Sequence, residues 1–434
     1  MNSKFTKLGI ALAASATLTT ACSAATNQPS TSTSGKTNQK VTINWYFEGP
    51  QTRATPTQQA IKLYEKLHPN VTIKAQFGSW TGYQQKLTVL AAAHNLPDIV
   101  HMDMAWFQSY ASKGVLLSLN NSKLAQTIPQ KYLNLSKYNG QIYGVPVGMN
   151  GSGYEYDIPE IKKLGLRMPW ANWTYNDYFK WAQQAAAKLP KGHYAIVDSS
   201  NSWQAYQSYQ QALGEGEVFP GGNKIHIVKN TWIQFMNIYA KFRKDGVVPP
   251  AAISLSESDG DPTSDALVKG WALIVPTTAA SANVEWSLLP GKIGVVNDPI
   301  DKKGGGWQQP TIFESISASS ANAAQAEQFL GWLYGSVQAG KILGTSWGLP
   351  LKSNIWKAIA PSQSQGNKLG EQMLQVGKAK ALGFYPLPPY PAWNDWSTTY
   401  TNATEAVMYG KESVTQAYNQ ITQAAQQALS QSGS

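Results

Sequence analysis

Cysteine is almost absent from the chain: 434 residues carry one, Cys22. An intramolecular disulfide framework and a cysteine-rich zinc site are thereby excluded. Charged residues are sparse at 14%, and although Lys+Arg outnumber Asp+Glu by 35 to 25, the basic residues are scattered and do not cluster with aromatics. That pattern excludes a phosphate-tracking nucleic-acid surface, and no nucleic-acid partner is expected. His68, His94, His101, His193 and His226 show no H-x-x-x-H spacing, so no metal site is expected. Walker and G-x-G-x-x-G sequences are missing, and no cofactor is expected. The apolar run at 8–18 is too short to span a bilayer as a helix.

What is abundant is Trp (16) and Tyr (21), together with Gln and Asn. At the start, Lys4 and Lys7 precede the apolar run and small residues follow, which describes a cleavable secretory signal over 1–21. The sequence LTTAC at 18–22 resembles the lipobox of bacterial lipoproteins, with Thr19 at the position that is usually Leu. That resemblance implies lipidation of Cys22; an ordinary signal cleaved near Ala21 or Ala25 is the alternative. The Ser/Thr/Asn/Gln-rich stretch at 22–40 can bury almost nothing and reads as a disordered tether.

Beyond it, VTINWYF (41–47) reads as a strand and 56–67 as a helix stopped by His68-Pro69. VTIKAQF (71–77), a helix near 83–93 and LPDIVHMD (96–103) continue the alternation. Such β-α-β-α-β order predicts an α/β fold with a doubly wound, mainly parallel sheet flanked by helices, whose ligands sit beyond the carboxyl ends of the strands. QIYGVPV (141–147), HYAIVDSSNSW (193–203), WALIVPTT (271–278) and KIGVVNDP (292–299) read as further strands. Helices are expected at 172–187 with Asn172 as cap, and at 233–244, 321–334 and 413–429. Gly304-Gly305-Gly306 reads as a flexible link. About four hundred residues exceed one comfortable core, so two lobes are expected.

An ordered series of segments, YEKLHPNVTI, LPDIV, YASKGVLLSL, NGQIYGVPVG, AKFRKDGVVPP, ALVKGWALIV, GTSWGLPLKS and YGKESVTQAY, resembles the family 1 extracellular solute-binding proteins of ABC importers, the group that includes maltose-binding proteins. The resemblance runs from Val41 almost to the C-terminus. It departs at Tyr156-Asp157, commonly Tyr-Asn, and at Trp286, which lies late for the family's Gly-x-Trp. It implies a two-lobed periplasmic-binding-protein fold, type II-like, with a hinge between the lobes. The first lobe would comprise 41–148 plus about 305–345, and the second about 149–304 plus 346–434. It also implies a monomer on the outer face of a bacterial membrane that delivers a carbohydrate to permease subunits.

A sugar offers hydroxyls at its rim and an apolar C–H face, so its receptor needs aromatic platforms beside planar polar groups. Glu48, Asp103 and Trp106 follow first-lobe strands, and the family's alignment adds Asn150 after YGVPV. Trp203 and Tyr206 lie in the polar loop of the second lobe, Trp307 follows the three glycines, and Glu314 sits in the strand returning to the first lobe, where an interlobe salt bridge is the alternative. Trp347 precedes Gly348-Leu349-Pro350, and Trp393 lies where maltose-binding relatives put a stacking aromatic. Trp45, Trp271, Trp170, Trp173, Trp181, Trp232 and Trp332 read as core residues. An oligosaccharide is the expected ligand. A polyol or glycerol phosphate ester is the alternative within the class. A secreted carbohydrate-active enzyme using Glu48 and Asp103, or a sensor or adhesin on the same fold, would be a different class.

Overall fold

The computed structural model describes residues 40–432 except 105, 222, 257–261 and 384–390; residues 80, 81, 262, 391 and 432 are described by backbone alone. The expected signal and tether, and Cys22 with them, lie outside the described residues.

The strands in chain order are β1 (Val41–Glu48), β2 (Val71–Gly78), β3 (Ile99–Asp103), β4 (Lys137–Tyr138), β5 (Gln141–Ile142), β6 (Val145–Pro146), β7 (Gly148–Asp157), β8 (Tyr194–Ile196), β9 (Ala272–Thr278), β10 (Ile293–Asn297), β11 (Gln308–Gln309), β12 (Ile312–Ile316) and β13 (Leu349–Pro350). One sheet has the order β2-β1-β3-β12-β6, and a second has the order β10-β7-β9-β8. Alternation along β1 explains why helices cover both faces of the first sheet. Ile43, Trp45 and Phe47 join a core with Tyr64, Phe329 and Trp347, whereas Tyr46 turns to the opposite core with Tyr83, Met102 and Phe107. The second sheet packs Tyr154, Ile274 and Val296 against a large aromatic core that includes Trp173, Trp181, Trp232, Trp393 and Trp396.

Strand direction departs from the parallel expectation at two places, for one reason. β1 runs parallel to β2 and β3, and β8 parallel to β9, as βα units require. β7 and β12, however, are antiparallel to their sheet neighbours. Each enters its sheet from the other one, β6 leading through Val147 into β7 and β11 through 310–311 into β12. They therefore start at the end where β3 and β9 finish: Ile312 is paired with Asp103, and Ser152 with Thr278. A third passage runs through 344–348 to β13, which pairs with Met149 and Gly148 of β7. Gly148 is required there, because a Cβ would collide with the Trp347 carbonyl.

Local signals account for other differences. The helix expected from Asn172 is Tyr175–Ala186, capped by Thr174 in a reciprocal capping box with Asp177. Asn172 instead takes a left-handed conformation, φ 62°. QIYGVPV is interrupted and supplies two short strands, β5 and β6.

Candidate functional site

The strand ends that face the passages between sheets hold two large cavities. The first, about 930 Å³, is lined by Glu48, Arg53, Phe77 and Ser79 from the ends of β1 and β2 and the helix Gln51–Leu67. Facing them are Asn283, Val284, Gln363 and Asn367, which follow β9 or belong to the packing around it, with Lys341 and Ser346 between. Glu48 is not a free carboxylate here. Arg53 Nη1 donates to its Oε2 at 2.8 Å and to its backbone carbonyl at 2.9 Å, while Arg53 Nε donates to the Ser346 carbonyl at 2.9 Å.

The second cavity, about 960 Å³, is built on the second sheet. Ser152 and Tyr154 come from β7, Pro276 and Thr277 from β9, and Asp198, Ser199 and Asn201 from the loop after β8. The helices Trp203–Ala212 and Lys229–Asp245 add Gln204, Ser208 and Tyr239, and Asp298, Trp307, Thr401 and Glu405 complete the wall. Its polarity is organised around one relay. The Trp307 backbone N–H donates to Ser152 Oγ at 3.0 Å, and Ser152 Oγ donates to Asp298 Oδ2 at 2.6 Å. Gly306, at φ 63°, leaves room for this arrangement, since a Cβ would collide with the Asp298 carboxyl. The three glycines are accordingly held against Asp298, Pro299 and Lys380 and do not form an open link. Burial raises the Asp298 carboxyl to about 6, against the lowering effect of the Ser152 hydroxyl. Asp198, at the far wall, is paired with Arg243, whose Nη1 also reaches Ser200 Oγ at 3.0 Å.

Of the residues singled out from sequence, Glu48 lines the first cavity and Trp307 the second. Asp103, half-buried at the end of β3, lies with Trp106 beside the second passage: Met104 N donates to Thr311 O, and Trp106 N to Asp103 O. Trp106 itself is buried in the first lobe, stacked 6.4 Å from Tyr83. Asn150 braces the backbone, its Oδ1 accepting from Gly151 N and Ala280 N at 2.9 and 3.1 Å.

The others are packed inside. Trp203 and Tyr206 belong to a helix capped by Ser202, not to a loop; Trp203 meets Phe219 and Trp396 edge-on, and Tyr206 donates to Gln210 Oε1 at 2.6 Å. Trp393 is fully buried on the helix Pro391–Met408 and donates to Asn223 Oδ1 at 2.9 Å. Trp347 stacks on Trp45 at 5.5 Å and donates to Thr57 Oγ1 at 2.9 Å. Glu314 forms no interlobe bridge. It is fully buried within the first lobe, accepts from Trp45 Nε1 and Tyr334 Oη at 3.1 and 3.2 Å, and lies 3.5 Å from His101 Nδ1. Burial pushes its carboxyl up to about 8 and the His101 imidazole well down, so both are neutral at pH 7.

Sequence reasoning missed Asp298, Ser152, Arg53 and Asp198. Asp298 follows a strand, the same positional signal that singled out Asp103. Arg53 carries another: a cation in a helix's first turn opposes the helix dipole and needs a separate partner. Among the described residues no group of three or more His, Cys, Asp or Glu side chains is placed to hold a metal. An aromatic wall beside hydroxyls, amides and a buried carboxyl, in a cavity large enough for several sugar rings, is equipped to bind a polyhydroxylated solute.

Comparison with known proteins agrees with the geometry. A multiple sugar-binding protein from Streptococcus mutans is 28% identical over 176 residues, a match that covers 39% of this chain and 39% of that protein. A family 1 extracellular solute-binding protein from Alicyclobacillus acidocaldarius superposes with a TM-score of 0.71 at 26% identity, covering 90% of this chain and 99% of the other. An ABC substrate-binding protein from Listeria monocytogenes, solved in complex with cycloalternan, shares the fold with a TM-score of 0.75 at 19% identity, over 91% and 100% of the two chains. The sequence profile described as bacterial extracellular solute-binding protein matches residues 49–340, and the chain belongs to that family.

Proposed function

We propose that this protein is the substrate-binding component of an ABC importer, that it captures an oligosaccharide, and that it binds without turnover. Its extracytoplasmic location follows from the family. The observation that carries the ligand class is the second-lobe cavity, where Trp307 lines a wall shared with the Ser152–Asp298 pair and several hydroxyl and amide side chains. The ring receives the C–H face of a pyranose, while Asp298, Gln204 and Asn201 take its hydroxyls. Across the passages, Glu48, Phe77 and Ser79 of the first lobe meet the other side of the ligand when the lobes close, and the closed form is what the permease reads. Asp103 is proposed as a further first-lobe contact.

The anchor belongs to the same reading. Acylation of Cys22 holds the receptor at the outer face of the membrane, and two acyl chains make that attachment lasting where one would not. The lobe boundaries are proposed at the three passages, 147, 310–311 and 344–348. Glu48, held by Arg53, is poorly suited to act as a glycosidase carboxylate, and Arg53, occupied by Glu48, is poorly suited to a phosphate ester.

Thermal unfolding of the mature chain against mono- and oligosaccharides tests the ligand class: a saturating ligand at a hundred times its Kd stabilises by about 2.7 kcal/mol. If no neutral sugar raises the melting temperature, the carbohydrate reading fails. Mass spectrometry of the membrane-extracted protein tests the anchor, which an unmodified or missing Cys22 would exclude.

A further inference from the structure

We infer that the second-lobe cavity selects neutral or amine-bearing saccharides and rejects acidic ones, and that Asp298 is the residue that decides it. This rests on the saccharide reading of the same cavity and narrows its ligand class. The whole chain and this one surface differ in charge. The protein carries a formal charge of +10, yet every Lys and Arg from Lys40 onward is among the described residues and none lines this cavity. The ionisable groups in its wall that carry formal charge are Asp198, Asp298 and Glu405. Arg243 compensates Asp198. No ion pair among the described residues compensates Asp298 or Glu405.

Asp298 is 8% exposed, and its hydrogen bond comes from a neutral hydroxyl, Ser152 Oγ, at 2.6 Å. A uronate or sugar phosphate placed beside Trp307 would bring a second negative charge into a site that offers it no counter-ion, where solvent screens poorly. A sugar hydroxyl instead donates to the carboxylate, a charge-assisted bond, and an amine adds an attraction of opposite sign. The cavity thus holds the repulsive element that specificity requires as well as the attractive ones.

The test uses the full chain and calorimetric titration with maltotetraose, cellotetraose, galactotetraose, acarbose and a chitosan tetramer. The neutral sugar that binds is then compared with its C6-oxidised uronate, which differs in that group alone. The oxidised form should bind at least ten-fold more weakly, and Asp298→Asn should shrink the gap to under three-fold by weakening the neutral ligand and admitting the acid. Thr277→Lys, which places a cation in the same wall, should tighten uronate binding at least ten-fold and carries the test if Asp298→Asn does not fold. Equal or tighter binding of the uronate by the unaltered protein overturns the selectivity while leaving the saccharide reading intact. An unchanged gap in both variants overturns the role given to Asp298. Failure of every saccharide, charged or neutral, overturns the saccharide reading and the selectivity with it.

Discussion

The guanidinium of Arg53 lies 5.0 Å over the indole of Trp347, and its Nε holds the carbonyl of Ser346 next door at 2.9 Å. One side chain from the first helix is thereby fastened to the third passage between the sheets. Its remaining arm holds Glu48, so Arg53→Met removes three hydrogen bonds and leaves Glu48 without its cation. Hydrogen bonds to charged groups contribute about 1.5–3 kcal/mol each in favourable cases and are not additive. A loss of about 2–3 kcal/mol in urea unfolding is expected, and an unchanged midpoint would show that the contact carries no stability.

Two tryptophans proposed from sequence should separate cleanly in experiment. Trp393 is fully buried against Phe219 and Trp396, so Trp393→Ala leaves a large cavity and should cost about 3–5 kcal/mol of stability. Trp307 lines the second-lobe cavity and is half-buried. Trp307→Ala should weaken saccharide binding by about ten-fold or more, the scale of a lost aromatic contact of 1.5 kcal/mol, with a smaller change in melting temperature than Trp393→Ala produces. Comparing unliganded melting with titration for both variants checks the distinction.

Much of this was readable in advance, and each misreading has its own cause. β1, β2, β3, β9 and β10 stand out because their apolar residues are concentrated and bounded by turn residues. Trp203 reads as a loop residue because Ser and Asn flank it, and Trp393 as a stacking platform because of the family resemblance, yet Trp393, Trp396 and Tyr400 recur at helical spacing, as do Trp203, Tyr206 and Gln210. Flanking breakers mark where a helix starts, not that one is absent. The antiparallel course of β7 and β12 is a different matter. It depends on which sheet each strand enters from, and no local periodicity reports that. The place of Asp298 after a strand is legible, but its pairing with Ser152, 146 positions away, is not.

Acid should stabilise this protein. Glu155, on β7, is fully buried, neither oxygen has a hydrogen-bond partner among the described residues, and burial together with Glu285 and Asp265 raises it from 4.5 to about 9. Glu285 is raised to about 7, and Asp265 is raised too, by burial first in both cases. A carboxyl whose folded value exceeds its unfolded one binds its proton more tightly in the folded state. Its stabilising contribution is full below 4.5 and is lost as pH climbs toward 9. Unfolding free energy should therefore fall by a few kcal/mol between pH 5 and pH 8. Glu155→Gln should flatten the profile; a stability that rises over this range would contradict the account.

Glu314 offers a second and independent pH test in the other lobe. Trp45, Tyr334, His101 and Arg53 surround it, and its value of about 8 keeps it protonated at neutral pH. Glu314→Gln imitates that protonated form, so it should change stability by under about 1 kcal/mol at pH 7. At pH 9.5 the variant should be the more stable of the two. Thermal melts at both values decide it, and a large loss at pH 7 would mean that the carboxylate is charged in place.

β11 and β13 both pair antiparallel with β7, Gln308 with Gly151 and Leu349 with Met149. The three passages are consequently laced to one another as well as to the sheets they join. A ribbon laced in this way strongly resists stretching and sliding, whereas twisting about its long axis leaves every rung intact. On the proposed importer role, a rotation about this ribbon is therefore the closure expected, whatever the length or linkage of the ligand.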